Sequence, residues 1–207
     1  DDALAEGLAL AWIACERYAE AELALSRLLD RPRGSTPPGV RTTAQREAGE
    51  RVQSRRDLEH LRARCLIALN RPAEARTLLL GLTSGAEGAA DASAWIALGQ
   101  VAHTLKDMQR MRIAANRAIA LAPDRPEGRM LLAAQRMESG DLPGALQAAR
   151  EAAARFPEDA GVRLLCGVIL SEMKRKDEAA QELSSALALD PKNRRAAAML
   201  AAVESAD

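Results

Sequence analysis

The sequence predicts an all-α protein built as a stack of helical hairpins. Pro123, Pro157 and Pro191 recur at intervals of 34 residues, since 157 − 123 = 34 and 191 − 157 = 34. Their surroundings recur in register as LAPDRP, RFPEDA and LDPKNR. A fixed period of roughly 20 to 50 residues is typical of repeat proteins, in which each unit buries its apolar face against its neighbours. Residues 90–193 therefore organise the chain.

Aligning the three units shows small residues at equivalent positions in both helices of each hairpin. A small side chain lets two helices approach closely, so we expect both positions at helix–helix contacts. The aligned residues are Gly99, Ala133 and Gly167 in the first helix and Ala118, Ala152 and Ala186 in the second.

Helix boundaries also follow the period. Each closing proline ends its unit, because proline cannot continue a helix. Asp107 and Asp141 precede the second helices, where an N-cap is needed. Pro143 then falls in a first helical turn, where its missing N–H costs nothing.

The pattern as a whole resembles the tetratricopeptide repeat (TPR), with the signature W-x2-L-G-x2-Y, A-x3-F, A and P. Trp95, Leu98 and Gly99 match its opening, and Ala118 and Pro123 match its close. The resemblance implies a right-handed α-solenoid of roughly five TPR-like hairpins with a C-terminal capping helix. It also implies a non-catalytic scaffold that docks another polypeptide.

The chain departs from the family in its aromatic positions. Aromatic residues make up only 2% of the sequence. Arg129 and Arg163 replace the counterparts of Trp95, and Met111 stands where the family prefers Ala. We therefore expect the hairpins to be held by close contacts of Ala, Leu and Met.

We predict one continuous solenoid over residues 1–207. The first helix should turn an inner apolar stripe of Leu4, Leu8, Ala11, Ile13 and Cys15 towards its partner. The glycine-containing segment 83–91 is interpreted as a flexible joint. The expected parts are a first hairpin (1–32), a loop (33–42), an irregular hairpin with a long first helix (43–82), three regular repeats (91–193) and a capping helix (194–207).

Charge excludes some ligands and leaves one patch to explain. The 207 residues carry 29 basic and 29 acidic side chains, and this zero net charge argues against a nucleic-acid ligand. Residues 31–64 hold nine Arg against four acidic residues. This segment is either a patch for an acidic partner or a solvated helix face with internal ion pairs. The candidate patch consists of Arg46, Arg51, Arg55, Arg56 and Arg62.

The inventory of chemically active residues predicts neither catalysis nor a metal or cofactor. His60 and His103 have no metal-ligand spacing to Cys or carboxylates and are interpreted as exposed helix residues. Gly81, Gly85 and Gly88 lack the Lys and Ser/Thr of a phosphate-binding loop. The three cysteines show no pairing pattern, so we expect buried free thiols. A redox role is the alternative.

The resemblance places the first helices of the repeats along a concave groove. The Lys and Asn residues with which some family members bind a terminal carboxylate are missing there, which leaves an apolar trough suited to a helix or an extended apolar segment. The trough holds either a foreign ligand or part of the chain itself or a second copy. Its predicted lining is Ile96, Gln100, His103, Met130, Leu131, Ala134, Met137, Leu164, Leu165 and Val168.

Two other functions remain open from the sequence. The chain could be the regulatory or substrate-docking part of a longer enzyme, or a self-associating structural protein that forms homo-oligomers.

No run is apolar and long enough to span a bilayer. The chain begins at Asp1 rather than Met, so we allow for an upstream segment. The compartment is cytoplasmic by default and periplasmic if such a segment was a signal. Abundant Ala and Arg with little Lys suggest a GC-rich bacterial source.

Overall fold

The computed structural model describes residues 2–30 and 55–205, with side chains from residue 7 onward. Over these residues it contains twelve α-helices and no strand, so the predicted all-α architecture of helical hairpins is confirmed. The helices are α1 (Asp2–Ala14), α2 (Tyr18–Leu29), α3 (Arg55–Ala68), α4 (Pro72–Leu82), α5 (Gly85–Ala89), α6 (Ala92–Thr104), α7 (Met108–Leu121), α8 (Glu127–Glu138), α9 (Leu142–Arg155), α10 (Ala160–Glu172), α11 (Lys176–Leu189) and α12 (Arg194–Ser205).

The chain divides into two compact units, Asp1–Leu105 and Lys106–Asp207. The boundary falls between α6 and α7, which are the two helices of the first regular repeat. The predicted loop at 33–42 and the first part of the predicted long helix lie outside the described residues. The described part resumes at Arg55, where α3 begins.

In the first unit each long helix packs against the next one along the chain, and α3 also contacts α6. The buried residues form two apolar clusters. One joins α1, α2 and α3, and the other joins α3, α4 and α6. Their members are Ala9, Ala21, Leu25 and Cys65 in the first cluster, and Ala63, Leu66, Ala75, Leu79, Leu82, Ala94, Leu98 and Val101 in the second.

The expected inner stripe of α1 is wrong in its register. Leu8 is 48% exposed, and Ala11 and Cys15 are also exposed. The buried face is centred instead on Ala9, which is fully buried, with Ile13 packed beside it. Because α1 is apolar around most of its circumference, helical periodicity alone does not select the buried side.

The glycine-containing segment 83–91 is not an irregular joint. It forms the short helix α5, and Gly88 within it is buried. A Cβ on Gly88 would clash with the carbonyl oxygen of Leu82, so this glycine allows α5 to pack against the end of α4.

In the second unit the small residues of the repeat lie where helices cross, as predicted. Ala118, Ala152 and Ala186 are at most 1% exposed. A Cβ on Gly167 would lie 2.6 Å from Leu183 Cγ, so α10 and α11 need a glycine at their contact. The alanine and glycine positions therefore set the close spacing of these helices.

The predicted helix starts are confirmed. Asp107 accepts a hydrogen bond from the Arg110 N–H, and Asp141 accepts one from the Gly144 N–H, both at 2.9 Å. Pro143 lies in the first turn of α9. Each carboxylate satisfies a backbone donor that the helix cannot satisfy itself.

The turn between the two helices of each repeat contains one residue with positive φ. These residues are Lys106, Gly140 and Lys174, with φ of 56°, 81° and 61°. They share the 34-residue spacing, since 140 − 106 = 34 and 174 − 140 = 34. A left-handed residue is a common way to end a helix, and only glycine adopts it without a steric cost.

We expect Lys174→Gly to stabilise the protein. Glycine removes the steric strain that lysine has at positive φ, and this effect outweighs the extra unfolded-state entropy of glycine. The expected net gain in unfolding free energy is about 0.5–1 kcal/mol. Gly140→Ala should destabilise it by about 1 kcal/mol, because it introduces the same strain. Urea unfolding followed by circular dichroism measures both changes.

The control is Gln181→Gly on the exposed side of α11, where φ is helical and glycine should cost about 1 kcal/mol. If Lys174→Gly is as destabilising as this control, the left-handed turn carries no strain that glycine relieves.

Candidate functional site

The predicted binding surface of the second unit lies on α8 and α10. Most of its side chains are half-buried, which leaves part of each apolar surface open to solvent. Leu131 and Val168 are each 8% exposed and offer little surface to a ligand. The half-buried members are Met130, Ala134, Met137, Leu164 and Leu165.

Core packing holds these side chains in place. Met130, Met137 and Leu165 contact the buried cluster of the second unit from its edge. A Cβ on Gly161 would lie 3.2 Å from Met130 Cε, so the glycine leaves room for the methionine beside α10. We call the surface formed by the five half-buried side chains the apolar strip.

The predicted lining on α6 belongs to the first unit. Ile96 is 5% exposed and Gln100 is exposed, and His103 is half-buried rather than exposed as expected. Since Ile96 is the only apolar side chain of the three and is buried, α6 offers no exposed apolar surface at these positions. Their part in binding remains a prediction.

The described arginines of the candidate acidic-partner patch already contact carboxylates within the chain. Arg55 pairs with Glu59 at 3.2 Å. Arg62 donates from Nε to Glu22 at 3.0 Å, and Glu22 is only 8% exposed. Arg46 and Arg51 lie outside the described residues. These contacts favour the interpretation of this segment as a helix face with internal ion pairs.

Arg56 and His60 on α3 both contact Asp91, the N-cap of α6. Arg56 Nη2 donates to Asp91 Oδ2 at 2.9 Å and to the Leu82 carbonyl at 2.6 Å. His60 Nε2 lies 2.7 Å from the same carboxylate oxygen, and Asp91 Oδ1 accepts from the Ala94 N–H. His60 was expected to be an exposed helix residue, but it is half-buried and hydrogen-bonded. The cluster joins α3, α4 and α6.

Burial raises the pKa of Asp91, but hydrogen bonds from Ala94, Arg56 and His60 outweigh it. The folded-state pKa therefore lies below the ordinary value for an aspartate. A carboxylate with a depressed pKa stabilises the fold above its unfolded pKa of about 4 and loses this contribution as the pH falls through the folded value.

Asp91→Asn tests this contribution. The variant keeps a side-chain cap but lacks the charge that Arg56 contacts, so it should be less stable than wild type at neutral pH. The difference in unfolding free energy should shrink as the pH falls below about 4 and through the lower folded-state pKa, because Asp91 is protonated first in the unfolded chain and then in the folded protein. Urea unfolding at several pH values measures it.

Asp141→Asn is the matched control, because Asp141 caps α9 without a basic partner among the described side chains. Its loss of stability should vary less with pH. A difference between wild type and Asp91→Asn that stays constant on acidification would contradict the assignment.

Arg129 and Arg163, the residues at the family's aromatic position, tie each repeat to the preceding proline. Arg129 Nη1 donates to the Pro123 carbonyl at 2.8 Å, and Arg163 Nε donates to the Pro157 carbonyl at 3.3 Å. Arg129 also lies 5.9 Å from the centre of the Phe156 ring. Sequence reasoning missed this role, although the arginines and prolines share the same spacing.

Two cysteines are buried as predicted, and one is not. Burial raises the pKa of the Cys166 thiol to about 11, and it also raises that of Cys65. Cys15 is exposed in the turn after α1, so the prediction of three buried thiols is wrong. The cause is the register of α1, which directs Cys15 away from the packed side.

We expect an aromatic disulfide reagent to label one thiol quickly in the native protein and three after unfolding. Cys15 is accessible, whereas Cys65 and Cys166 are protonated and buried. Cys15→Ser should abolish the fast phase, and Cys166→Ser should leave it unchanged. Fast labelling that survives Cys15→Ser would show that a core thiol is accessible.

The described part of the chain contains no group of three His, Cys, Asp or Glu side chains that could hold a metal ion. None of the helices described is long and apolar enough to cross a membrane.

Helical hairpins with a 34-residue period, small residues at the crossings and left-handed turns between paired helices define a helical-repeat protein. Sequence models described as tetratricopeptide repeat match residues 60–126 and 136–203. The chain is a tetratricopeptide repeat protein. This fold points to a protein–protein interaction scaffold. No curated protein matches the sequence significantly.

Solved TPR structures share the fold at low sequence identity. TTC0263 from Thermus thermophilus has a TM-score of 0.75 at 16% identity, covering 99% of each chain. YrrB, described as a TPR protein with an unusual peptide-binding site, has a TM-score of 0.58 at 16% identity, covering 96% of this chain and 91% of its own. MamA from Desulfovibrio magneticus has a TM-score of 0.65 at 15% identity, covering 94% of this chain and 98% of its own.

Proposed function

We propose that this chain is a non-catalytic scaffold whose apolar strip binds an apolar helical or extended segment of a partner protein. The observation that carries the proposal is the set of half-buried Met, Leu and Ala side chains on α8 and α10. These side chains complete the core with one part of their surface and leave the other part for a ligand.

The chemistry of the strip favours an apolar ligand. Met130, Met137, Leu164 and Leu165 present no charge and no strong hydrogen-bonding group. Methionine adapts its shape to different neighbours, which suits a surface that must pack against another chain. Covering the strip removes apolar surface from water, which stabilises the complex. That YrrB is described with a peptide-binding site gives a precedent for peptide binding on this fold.

Leu164→Glu should weaken binding to the strip while leaving the fold intact. A bound apolar segment cannot pair the new carboxylate, so the expected cost is on the order of 2 kcal/mol, a roughly 30-fold loss of affinity. Affinity capture from the native organism, with partners identified by mass spectrometry and their affinities then measured, tests the prediction.

Leu189→Glu provides the matched control, because Leu189 is 42% exposed at the end of α11 and lies outside the strip. Both variants should keep the helical content and melting temperature of wild type. If Leu164→Glu unfolds the second unit, Leu164 is a core residue. If the partner binds Leu164→Glu as tightly as wild type, the strip is not the binding surface.

A further inference from the structure

A small pocket opens beside the last helix of the second unit. It has a volume of about 150 Å³ and lies where the ends of α10, α11 and α12 meet. An apolar cavity of about this volume accommodates a group the size of benzene. The lining residues are Ser171, Lys174, Lys176, Met199, Ala202 and Val203.

The pocket combines an apolar surface with two positive charges. Met199, Ala202 and Val203 on α12 supply the apolar part, and none of the described residues that line the pocket is acidic. Lys174 and Lys176 are exposed, and neither has an ion-pair partner among the residues that the structure describes.

Three arginines on α9, α10 and the turn before α11 form ion pairs. Arg150 contacts Glu178 at 2.9 Å, and Arg175, which lies between the two lysines in sequence, contacts the same glutamate at 2.6 Å. Arg163 contacts Glu182 at 3.2 Å. The two pocket lysines therefore differ from these three arginines in leaving their charge available to a ligand.

A larger pocket in the same unit has no such unpaired lysine in its described lining. It has a volume of about 560 Å³ and is lined partly by Leu146, Ala154 and Met173. The basic side chains that line it, Arg150 and Arg175, both contact Glu178, and Glu151 adds a negative charge to the lining. An acidic ligand would gain less there, so charge singles out the smaller pocket.

The pocket lies on the same side of α10 as the apolar strip. Ser171 follows Leu164 by seven residues, which places the two on one face of the helix two turns apart. A segment lying on the strip at Leu164 can therefore continue towards the pocket along α10.

We propose that this pocket receives an apolar side chain of the bound segment and that Lys174 and Lys176 contact an Asp or Glu side chain next to it. The inference rests on the proposed function and specifies its ligand as an apolar segment with an acidic residue at one end. Burial of the apolar side chain provides affinity, and the lysines select for the neighbouring carboxylate.

A displayed library of random 12-residue peptides, flanked on both sides by constant sequence, tests the proposal with the full chain as bait. The flanks remove any free terminal carboxylate, so that only side chains supply negative charge. Selection on wild type should enrich peptides with Asp or Glu beside an aliphatic or aromatic residue. Selection on Lys174→Gln/Lys176→Gln should enrich apolar peptides without that acidic preference.

The best wild-type peptide is then synthesised with blocked ends in two forms that differ by Glu→Gln or Asp→Asn at the acidic position. By fluorescence anisotropy, wild type should bind the acidic form about two- to five-fold more tightly, as expected for partly exposed charge pairs. High salt should reduce this ratio. The double lysine variant should bind both forms equally.

Two variants separate charge from pocket shape. Lys192→Gln removes an exposed lysine in the turn before α12 that does not line the pocket, and it should keep the acidic preference. Ala202→Leu fills the pocket without changing charge and should weaken both peptide forms.

The outcomes distinguish this inference from the proposed function. Peptides that lose binding in Leu164→Glu but show no acidic preference on wild type would support the strip and overturn the pocket assignment. An acidic preference that persists in Lys174→Gln/Lys176→Gln would also overturn it. A wild-type selection that enriches no peptide, or peptides that bind Leu164→Glu normally, would contradict the proposed function as well.

Discussion

The close approach of neighbouring helices is the constraint on which the rest of this structure depends. With so few aromatic side chains, the hairpins have few large groups that could fill wide gaps between helices. Alanine and glycine at the crossings bring the backbones near enough for many weak dispersion contacts to add up. Ala145, Ala149 and Ala152 on α9 are fully buried, and Gly167 on α10 has no room for a methyl group. Any larger residue at these points would force the helices apart.

The same constraint creates the candidate binding surface. Where helices cross through small residues, the longer side chains of the first helices cannot all enter the core. Met130 and Met137 reach its edge and remain half-buried. The apolar strip is thus a direct result of how the second unit packs, and the recognition proposed for it comes from side chains that also stabilise the fold. A substitution there has to be judged for stability and binding together.

Local signals in the sequence predicted local structure well. The aspartate caps, the position of Pro143 and the small residues at the crossings depend on neighbouring residues or on the repeat period. The buried side of α1 was not predictable, because the helix is apolar on several sides and only the packed partner selects Ala9 over Leu8. Gly88 suggested flexibility, although it is required by a close contact. The contact between Arg56 and Asp91 and the pocket between α10 and α12 join distant positions, so no local pattern in the sequence indicates them.

The hydrogen bond from an arginine to the carbonyl of the closing proline does not occur in all the repeats. The position 34 residues after Arg163 holds Ala197, whose side chain cannot donate to the carbonyl of Pro191. The last helix, α12, is therefore held mainly by its apolar contacts and by the Asn193 cap. Local opening should need less free energy here than in the hairpins that precede it, so the amides of α12 would be the first of the second unit to exchange with solvent. Because α12 supplies half of the pocket, a ligand bound there would slow this exchange, and the opening of α12 would become rarer in proportion to occupancy.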